Sequence, residues 1–551
     1  MTQTETHYDW PWLSGYEPHP ELAGARPVIA EHGMVSSPHH QASLIGLDVL
    51  RSGGNAVDAA VATSAALMVT LPMQCSPGGD AMWLIRQPDG TTGALDASGR
   101  SSFEASADKL RSKGLTSIGH RSPDSVTVPG AVDGWVQSIN RFGSRSLSEV
   151  LEPAAKLAES GCFVSRHMHA SFRSALPVLK NWGSISLWSA TGEAPKLYDR
   201  LTQPLLAKTL RTIGQTHGED FYRGAIARSI VKGITDAGGP LSLQDLEAHR
   251  SEWVEPLSGR YRNGTIFTSP PATQGFALLQ ALAVIDRLLP ESADVSRLSM
   301  LHLLIETVAE ALEERDLVVC DRARMTVDVR SIFGKKRVDE IVATIKSDNV
   351  KYRKPSTAST KGRGDTAHLS VVDGNGLCVS LIQSLYFDFG SGIAVENGGF
   401  TLQNRGAAFS LEDGAPNELL PHTRPPHTLT PTIVALDGGA TYVLGCMGGD
   451  GQIQTQVQLI TNMIDGELDP QQAISKPRWY LDRANPDGPT LLVESGVDEN
   501  ILVGLKETGH KVTVIGPSEE IMGHAQVIAR LPGGVLVGGS DPRSDGQVYG
   551  W

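Results

Sequence analysis

The chain has 551 residues, 40% of them hydrophobic and 20% charged, with a formal net charge of −13. This is ordinary globular composition, and at roughly 150 residues per domain the length suggests three or four domains. The acidic balance excludes a basic-faced nucleic-acid binder, and 58 glycines and 32 prolines, scattered along the chain, exclude a low-complexity protein.

Residues 1–24 lack a basic n-region and an apolar h-region, so a secretory signal is not expected and the cytoplasm is the expected location. Residues 41–51 carry Leu44, Ile45, Leu47 and Leu50 at helical spacing. Ser52-Gly53-Gly54 stops that helix, and Asn55 is placed to cap the next one over 56–69. The apolar run 56–71 contains Asp58 and many small residues, which predicts a buried helix and not a membrane span. A turn at Ser76-Pro77-Gly78-Gly79-Asp80 leads into a strand over 81–85. Further helices are expected at 147–159, 276–289 and 301–319. The five cysteines, Cys75, Cys162, Cys320, Cys378 and Cys446, are odd in number and form no CxxC pair. Neither a disulfide framework nor a structural zinc site is expected. His167 and His169 form an HxH pair without a nearby acidic or third histidine ligand, and are read as surface or packing residues.

Residues 351–365, KYRKPSTASTKGRGD, are the sharpest break in composition. They are basic, rich in Ser and Thr, and read as an exposed loop or linker. A hairpin follows. TAHLSVVD (366–373) and LCVSLIQS (377–384) flank Gly374-Asn375-Gly376, a good three-residue turn. With Asp373 opposite Leu377, Leu369 meets Leu381 and Val371 meets Val379 on an apolar face. The other face pairs Val372 with Cys378, Ser370 with Ser380, His368 with Ile382, and Thr366 with Ser384. Two hydroxyls therefore sit side by side at a cross-strand distance of about 5 Å. A hydroxyl at the head of a strand, after a basic loop, suits an N-terminal nucleophile. Cleavage before Thr366 would free an α-amine of pKa about 7.7–8. That amine could serve as base for its own hydroxyl, with no His or Asp partner. The plain alternative is a hairpin whose Thr and Ser face solvent.

Eight segments in order then carry a resemblance. They are GMVSSPHHQASLIGLDVLRSGGNAVDAAVA (33–62), SVTVPGAVDGW (125–135), PPATQGFALLQAL (270–282), GDTAHLSVVDGNG (364–376), FGSG (389–392), RPPHTLTPTIV (424–434), GGDGQ (448–452) and SDPRSDG (540–546). Together they resemble the γ-glutamyltranspeptidase family of N-terminal-nucleophile hydrolases over nearly everything after residue 30. The resemblance implies an α+β fold of four layers, αββα. It implies self-cleavage between Asp365 and Thr366 into a large chain, 1–365, and a small chain, 366–551, that stay together as a heterodimer able to dimerise further. It implies Thr366 as nucleophile, Ser384 as the second hydroxyl, and Gly448 and Gly449 as the oxyanion hole. Asn404 and His368 match site positions and are read as supports. The partner is a small-molecule amide; no cofactor, metal, nucleic acid or membrane is called for.

The substrate side departs from the transpeptidases. Arg100, in LDASGR, is placed to bind a carboxylate as the family arginine does. In QNRGAAF (403–409) the family's acidic pair is replaced by Ala407 and Ala408, and Arg405 adds positive charge. His427-Thr428 stands where the transpeptidases have two serines, and Tyr386 replaces an asparagine. An α-ammonium would meet no counter-charge there. The resemblance is nearer the glutaryl-cephalosporin acylases and oxamate amidohydrolases. It implies hydrolysis of amides of small carboxylate-bearing acyl groups. The alternatives are a true γ-glutamyltransferase or glutathione hydrolase, and a family member that has lost catalysis.

Overall fold

The computed structural model describes residues 26–289, 297–345, 349–351, 353 and 364–551. Residues 1–25, and residues 354–363 of the basic break, lie outside the described residues. Two seven-stranded sheets form the centre. One runs, in spatial order, Gln547–Gly550, Gly33–Ser37, Gly364–Asp373, Cys378–Phe387, Asp80–Arg86, Thr92–Ala97, Glu252–Val254. The second runs Val28–Ala30, Leu536–Ser540, Ala525–Arg530, Thr441–Cys446, Thr432–Leu436, Gly264–Thr268, Leu257–Tyr261. Both are antiparallel throughout. Each sheet takes strands from both sides of residue 365, so the expectation of three or four separate domains gives way to one interleaved sandwich.

The helices His40–Arg51 and Ala56–Thr70 cover the first sheet, with Leu147–Ser160 packed behind them. Gly275–Leu288, Gly451–Ile464 and Pro470–Ser475 cover the second, with Leu298–Val318 packed behind. Between the sheets lie Val372, Cys378, Ile433, Val443 and Ile528. The result is the four-layer αββα order, and the alternation of strand side chains assigns each residue to one interlayer space.

Ala56–Thr70 is buried along its whole length, which explains why it shows no polar face. Asn55 caps it as expected: its Oδ1 accepts from Val57 N at 2.9 Å and Asp58 N at 3.1 Å, and Asp58 returns a bond to Asn55 N at 2.8 Å. Asp373 ties this helix to the hairpin. Its Oδ1 accepts from Asn375 N at 2.9 Å and Leu377 N at 3.0 Å, and its Oδ2 accepts from Ala56 N at 3.1 Å. One carboxylate therefore closes the turn and caps the helix, which holds the hairpin in register against the layer beneath.

Ahead of residue 364 the described residues of the basic break are 351 and 353, and Lys351 is exposed. Arg353 is buried, and its guanidinium pairs with Glu306 at 2.7 Å, Glu310 at 2.9 Å and Glu313 at 3.2 Å on the helix Leu298–Val318. All five cysteines are free and buried. Among the described residues no helix is long and apolar enough to cross a membrane.

Candidate active site

The hairpin has the expected register: Thr366 opposite Ser384, His368 opposite Ile382, Ser370 opposite Ser380 and Val372 opposite Cys378. Its polar end does not face water, because the second sheet covers it; Thr366 is 1% exposed and Ser384 2%. Thr366 Oγ1 donates to Ser384 Oγ at 3.1 Å. Ser384 Oγ donates in turn to the Asp365 carbonyl at 2.6 Å and accepts from Tyr386 N at 2.7 Å. The candidate nucleophile, a second hydroxyl and the Asp365 carbonyl thus lie on one hydrogen-bonded line.

A β-bulge creates that line. Asp365 pairs with Tyr386 but Thr366 pairs with Ser384, which leaves Leu385 as the extra residue. Tyr386 takes a left-handed backbone, φ 83°, to complete the bend. The bulge takes the Asp365–Thr366 peptide out of regular pairing, and its carbonyl accepts from a side-chain hydroxyl.

His368 lies two residues along the same face. Its Nε2 is 2.9 Å from Ser380 Oγ, and burial pushes its pKa down to about 3, so the ring is neutral. The ring packs against Gly445 so closely that a Cβ there would collide with it. His368 therefore supports the contact between sheets. From Gly445 the second sheet leads directly to Gly448 and Gly449, at φ 130° and 54°, conformations that favour glycine. Among the described residues neither of their amides donates a hydrogen bond, whereas Gly448 O accepts from Gly451 N at 2.7 Å and Gly449 O from Gln452 N at 3.2 Å. Two unused N–H groups at the head of the helix Gly451–Ile464 can stabilise a developing negative oxygen. The turn is braced from below, where Asp450 pairs with the buried Arg315 at 2.7 Å.

Arg405 is 2% exposed. Its guanidinium lies 3.8 Å over the Tyr386 ring, and Nη1 is 3.4 Å from Thr428 Oγ1. Among the described residues no carboxylate forms an ion pair with it. Burial pulls its pKa down to about 10, against the pull of Tyr386 and Asp80, so it stays charged at neutral pH. The Thr428 carbonyl accepts from Gln274 Nε2 at 2.8 Å, and the same amide nitrogen reaches Gly449 O at 3.2 Å. Arg405 and the glycine turn therefore share one bracket. His427 is buried with Nε2 3.3 Å from Asp80 Oδ2; burial first, then Arg405, lowers its pKa.

Arg100 is placed differently. Its Nη2 is 3.0 Å from Glu252 and its Nη1 3.1 Å from Asp321, with the His422 carbonyl at 3.3 Å. Arg322 and Arg424 share Glu252 at 2.6 and 2.9 Å, and Arg424 also reaches Asp96 at 3.5 Å. Burial works against the charge on Glu252, yet Arg424 and Arg100 hold its pKa down at about 2. The Arg100 guanidinium is already neutralised by protein carboxylates.

The γ-glutamyltranspeptidase family matches residues 42–551 of this chain. An oxamate amidohydrolase proenzyme of Klebsiella pneumoniae is 37% identical, across 95% of this chain and 99% of its own length. A glutathione hydrolase-like proenzyme of Bacillus subtilis is 36% identical over the same shares. A crystal structure of cephalosporin acylase from Bacillus halodurans superposes with a TM-score of 0.89 at 32% identity, covering 98% of this chain and 99% of that one. The chain belongs to the γ-glutamyltranspeptidase family.

Within that family fold, one buried hub escaped the sequence reading. Asp80 is the cross-strand partner of Ser384. Its Oδ1 accepts from Gly99 N at 3.0 Å and Gly130 N at 3.1 Å, and its Oδ2 from Gln403 Nε2 at 2.9 Å. The only available signal was an acidic residue closing a glycine turn at the head of a strand. Asn404 braces backbone: its Nδ2 donates to the His120 carbonyl at 2.8 Å and its Oδ1 accepts from Phe387 N at 3.3 Å. It positions the segment that carries Tyr386 and Arg405.

Proposed function

We propose that this protein is a self-processing amide hydrolase in which Thr366 is the nucleophile, acting on amides of small acyl groups that bear a carboxylate and lack an α-amino group. The observation that carries the reading is the line from Thr366 Oγ1 through Ser384 Oγ to the Asp365 carbonyl, 3.1 and 2.6 Å. In the precursor, Thr366 Oγ attacks the Asp365 carbonyl carbon while Ser384 polarises the carbonyl oxygen. The C–N bond breaks as the Thr366 nitrogen takes a proton, which leaves an ester on Oγ. Water hydrolyses that ester, separating residues 1–365 from 366–551. The freed amine then acts as base, since its pKa of about 7.7–8 lies near working pH.

In turnover the same hydroxyl attacks the substrate amide. The Gly448 and Gly449 amides receive the negative oxygen; loss of one such donor typically costs about 10²–10³ in rate. The amine leaves, and water releases the acid from Thr366. Arg405 binds the acyl carboxylate, with Tyr386 beneath it and Thr428 beside it. With Ala407 and Ala408 at the acidic positions, a substrate ammonium would be desolvated without compensation.

A panel of p-nitroanilides tests this reading. Glutaryl, succinyl and oxamoyl amides are expected to exceed the γ-glutamyl amide in kcat/KM by at least tenfold. Equal or faster cleavage of the γ-glutamyl amide would replace the reading with a γ-glutamyl transferase or glutathione hydrolase, a function carried in the names of several relatives.

A further inference from the structure

Beside the Asp365–Thr366 bond lies a cluster that the chemistry above does not use. His167, Asp365 and Glu520 each bring a ligand atom within 4.8 Å of the others. They come from three distant pieces of chain: the first turn of the helix Arg166–Asn181, the strand Gly364–Asp373, and the short turn Glu520–Met522. His167 Nδ1 is 2.7 Å from Glu520 Oε1, and its Nε2 is 3.0 Å from Gln74 Nε2. His169, the other half of the HxH pair, turns away to the Pro195 carbonyl at 2.8 Å.

Asp365 supplies the second observation. Asp365 is 2% exposed, and among the described residues its Oδ1 has no hydrogen-bond partner. A buried carboxylate oxygen without a partner is strongly unfavourable. Glu520 brings a second carboxylate to the cluster, and Asp388 and Asp545 add negative potential at His167. The His524 ring, 5.5 Å from that of His167, is neutral because burial and His167 lower its pKa to about 4.

We propose that His167, Asp365 and Glu520 form a divalent transition-metal site in the uncleaved chain. One imidazole nitrogen and two carboxylate oxygens suit zinc, at about 2.0–2.2 Å each, with a fourth position open. The ion takes the place of the proton shared by His167 and Glu520 and neutralises both carboxylates. It also pins the side chain of the residue whose carbonyl Thr366 attacks. This last consequence rests on the proposed self-cleavage, which makes Asp365 a chain end and releases it from Thr366. The site is therefore a property of the precursor and weakens on maturation.

Untagged Thr366→Ala protein, held uncut, is titrated with zinc chloride by calorimetry. One zinc per chain is expected, with affinity at least tenfold weaker when His167→Asn or Glu520→Gln is added. Zinc should also raise the melting temperature of Thr366→Ala protein and leave the added variants unmoved. Metal-free circular dichroism shows whether those variants remain folded. Absence of binding to Thr366→Ala protein, or binding indifferent to both added variants, overturns the proposal. Mature wild-type protein should bind at least tenfold more weakly than the uncut form, and equal affinity would overturn the precursor assignment. Cleavage is read separately on a denaturing gel. A wild-type chain that never cuts refutes the self-processing reading and leaves the zinc titration of Thr366→Ala protein intact.

Discussion

Two arginines of this chain are candidates for binding a carboxylate, and they sit in opposite electrostatic settings. Arg100 shares Glu252 and Asp321 with Arg322 and Arg424. Arg405 is more deeply buried, rests on an aromatic ring, and has no carboxylate partner among the described residues. A guanidinium whose carboxylates are already in place gains little from one more. A buried guanidinium with none gains a charge-assisted bond and loses the penalty of isolation when an anion arrives. The motif placed Arg100 where the family arginine stands; the difference in local electrostatics is what supports the proposal that Arg405 takes the substrate carboxylate.

The difference can be tested by removing each in turn. Arg405→Ala should lower kcat/KM for carboxylate-bearing amides by about 10²-fold, the loss of about 2.7 kcal/mol of transition-state binding. Self-cleavage on a gel should persist. Arg100→Ala should change kcat/KM less than about tenfold and instead lower stability by about 1–2 kcal/mol, discounted for its partial exposure, read by chemical denaturation. The reverse pattern would exchange the two roles.

Tyr386→Leu removes the ring under Arg405. A cation–π contact of about 1–2 kcal/mol predicts a loss of about 5–30-fold in kcat/KM on the same substrates, and Tyr386→Phe should stay within about twofold. The smallest effect belongs to the Arg100 cluster. Glu252 is held below its ordinary 4.5 at about 2. Its contribution is therefore present above pH 4.5 and is lost as pH falls through about 2. Glu252→Gln should flatten the fall in melting temperature across that window.

The hairpin was legible because a Gly-Asn-Gly turn leaves one register, and the Asp373 side chain then locks it. The cap at Asn55 and the buried helix after it were legible for the same reason: both are set by neighbours in sequence. What escaped depends on contacts between distant segments. The bulge at Leu385, the Asp80 hub under Ser384, and the burial of Arg353 on three glutamates leave no local periodicity. The neighbourhood of His167 was not legible because Asp365 and Glu520, whose ligand atoms lie within 4.8 Å of it and of each other, are far away in sequence. The substrate side was half legible. That Ala407 and Ala408 stand where the family has acids shows against the segment they resemble, but which arginine lacks a carboxylate partner among the described residues shows only in three dimensions.

Intact mass and N-terminal sequencing of purified wild-type and Thr366→Ala protein, with amide hydrolysis measured on the same samples, test the central claim most directly. The wild type should resolve into two chains, the smaller beginning at Thr366, and should be active. Thr366→Ala should remain one uncut, inactive chain. Hydrolysis by an uncut wild-type chain, or cleavage and wild-type turnover in Thr366→Ala, would contradict the assignment of Thr366 as the nucleophile.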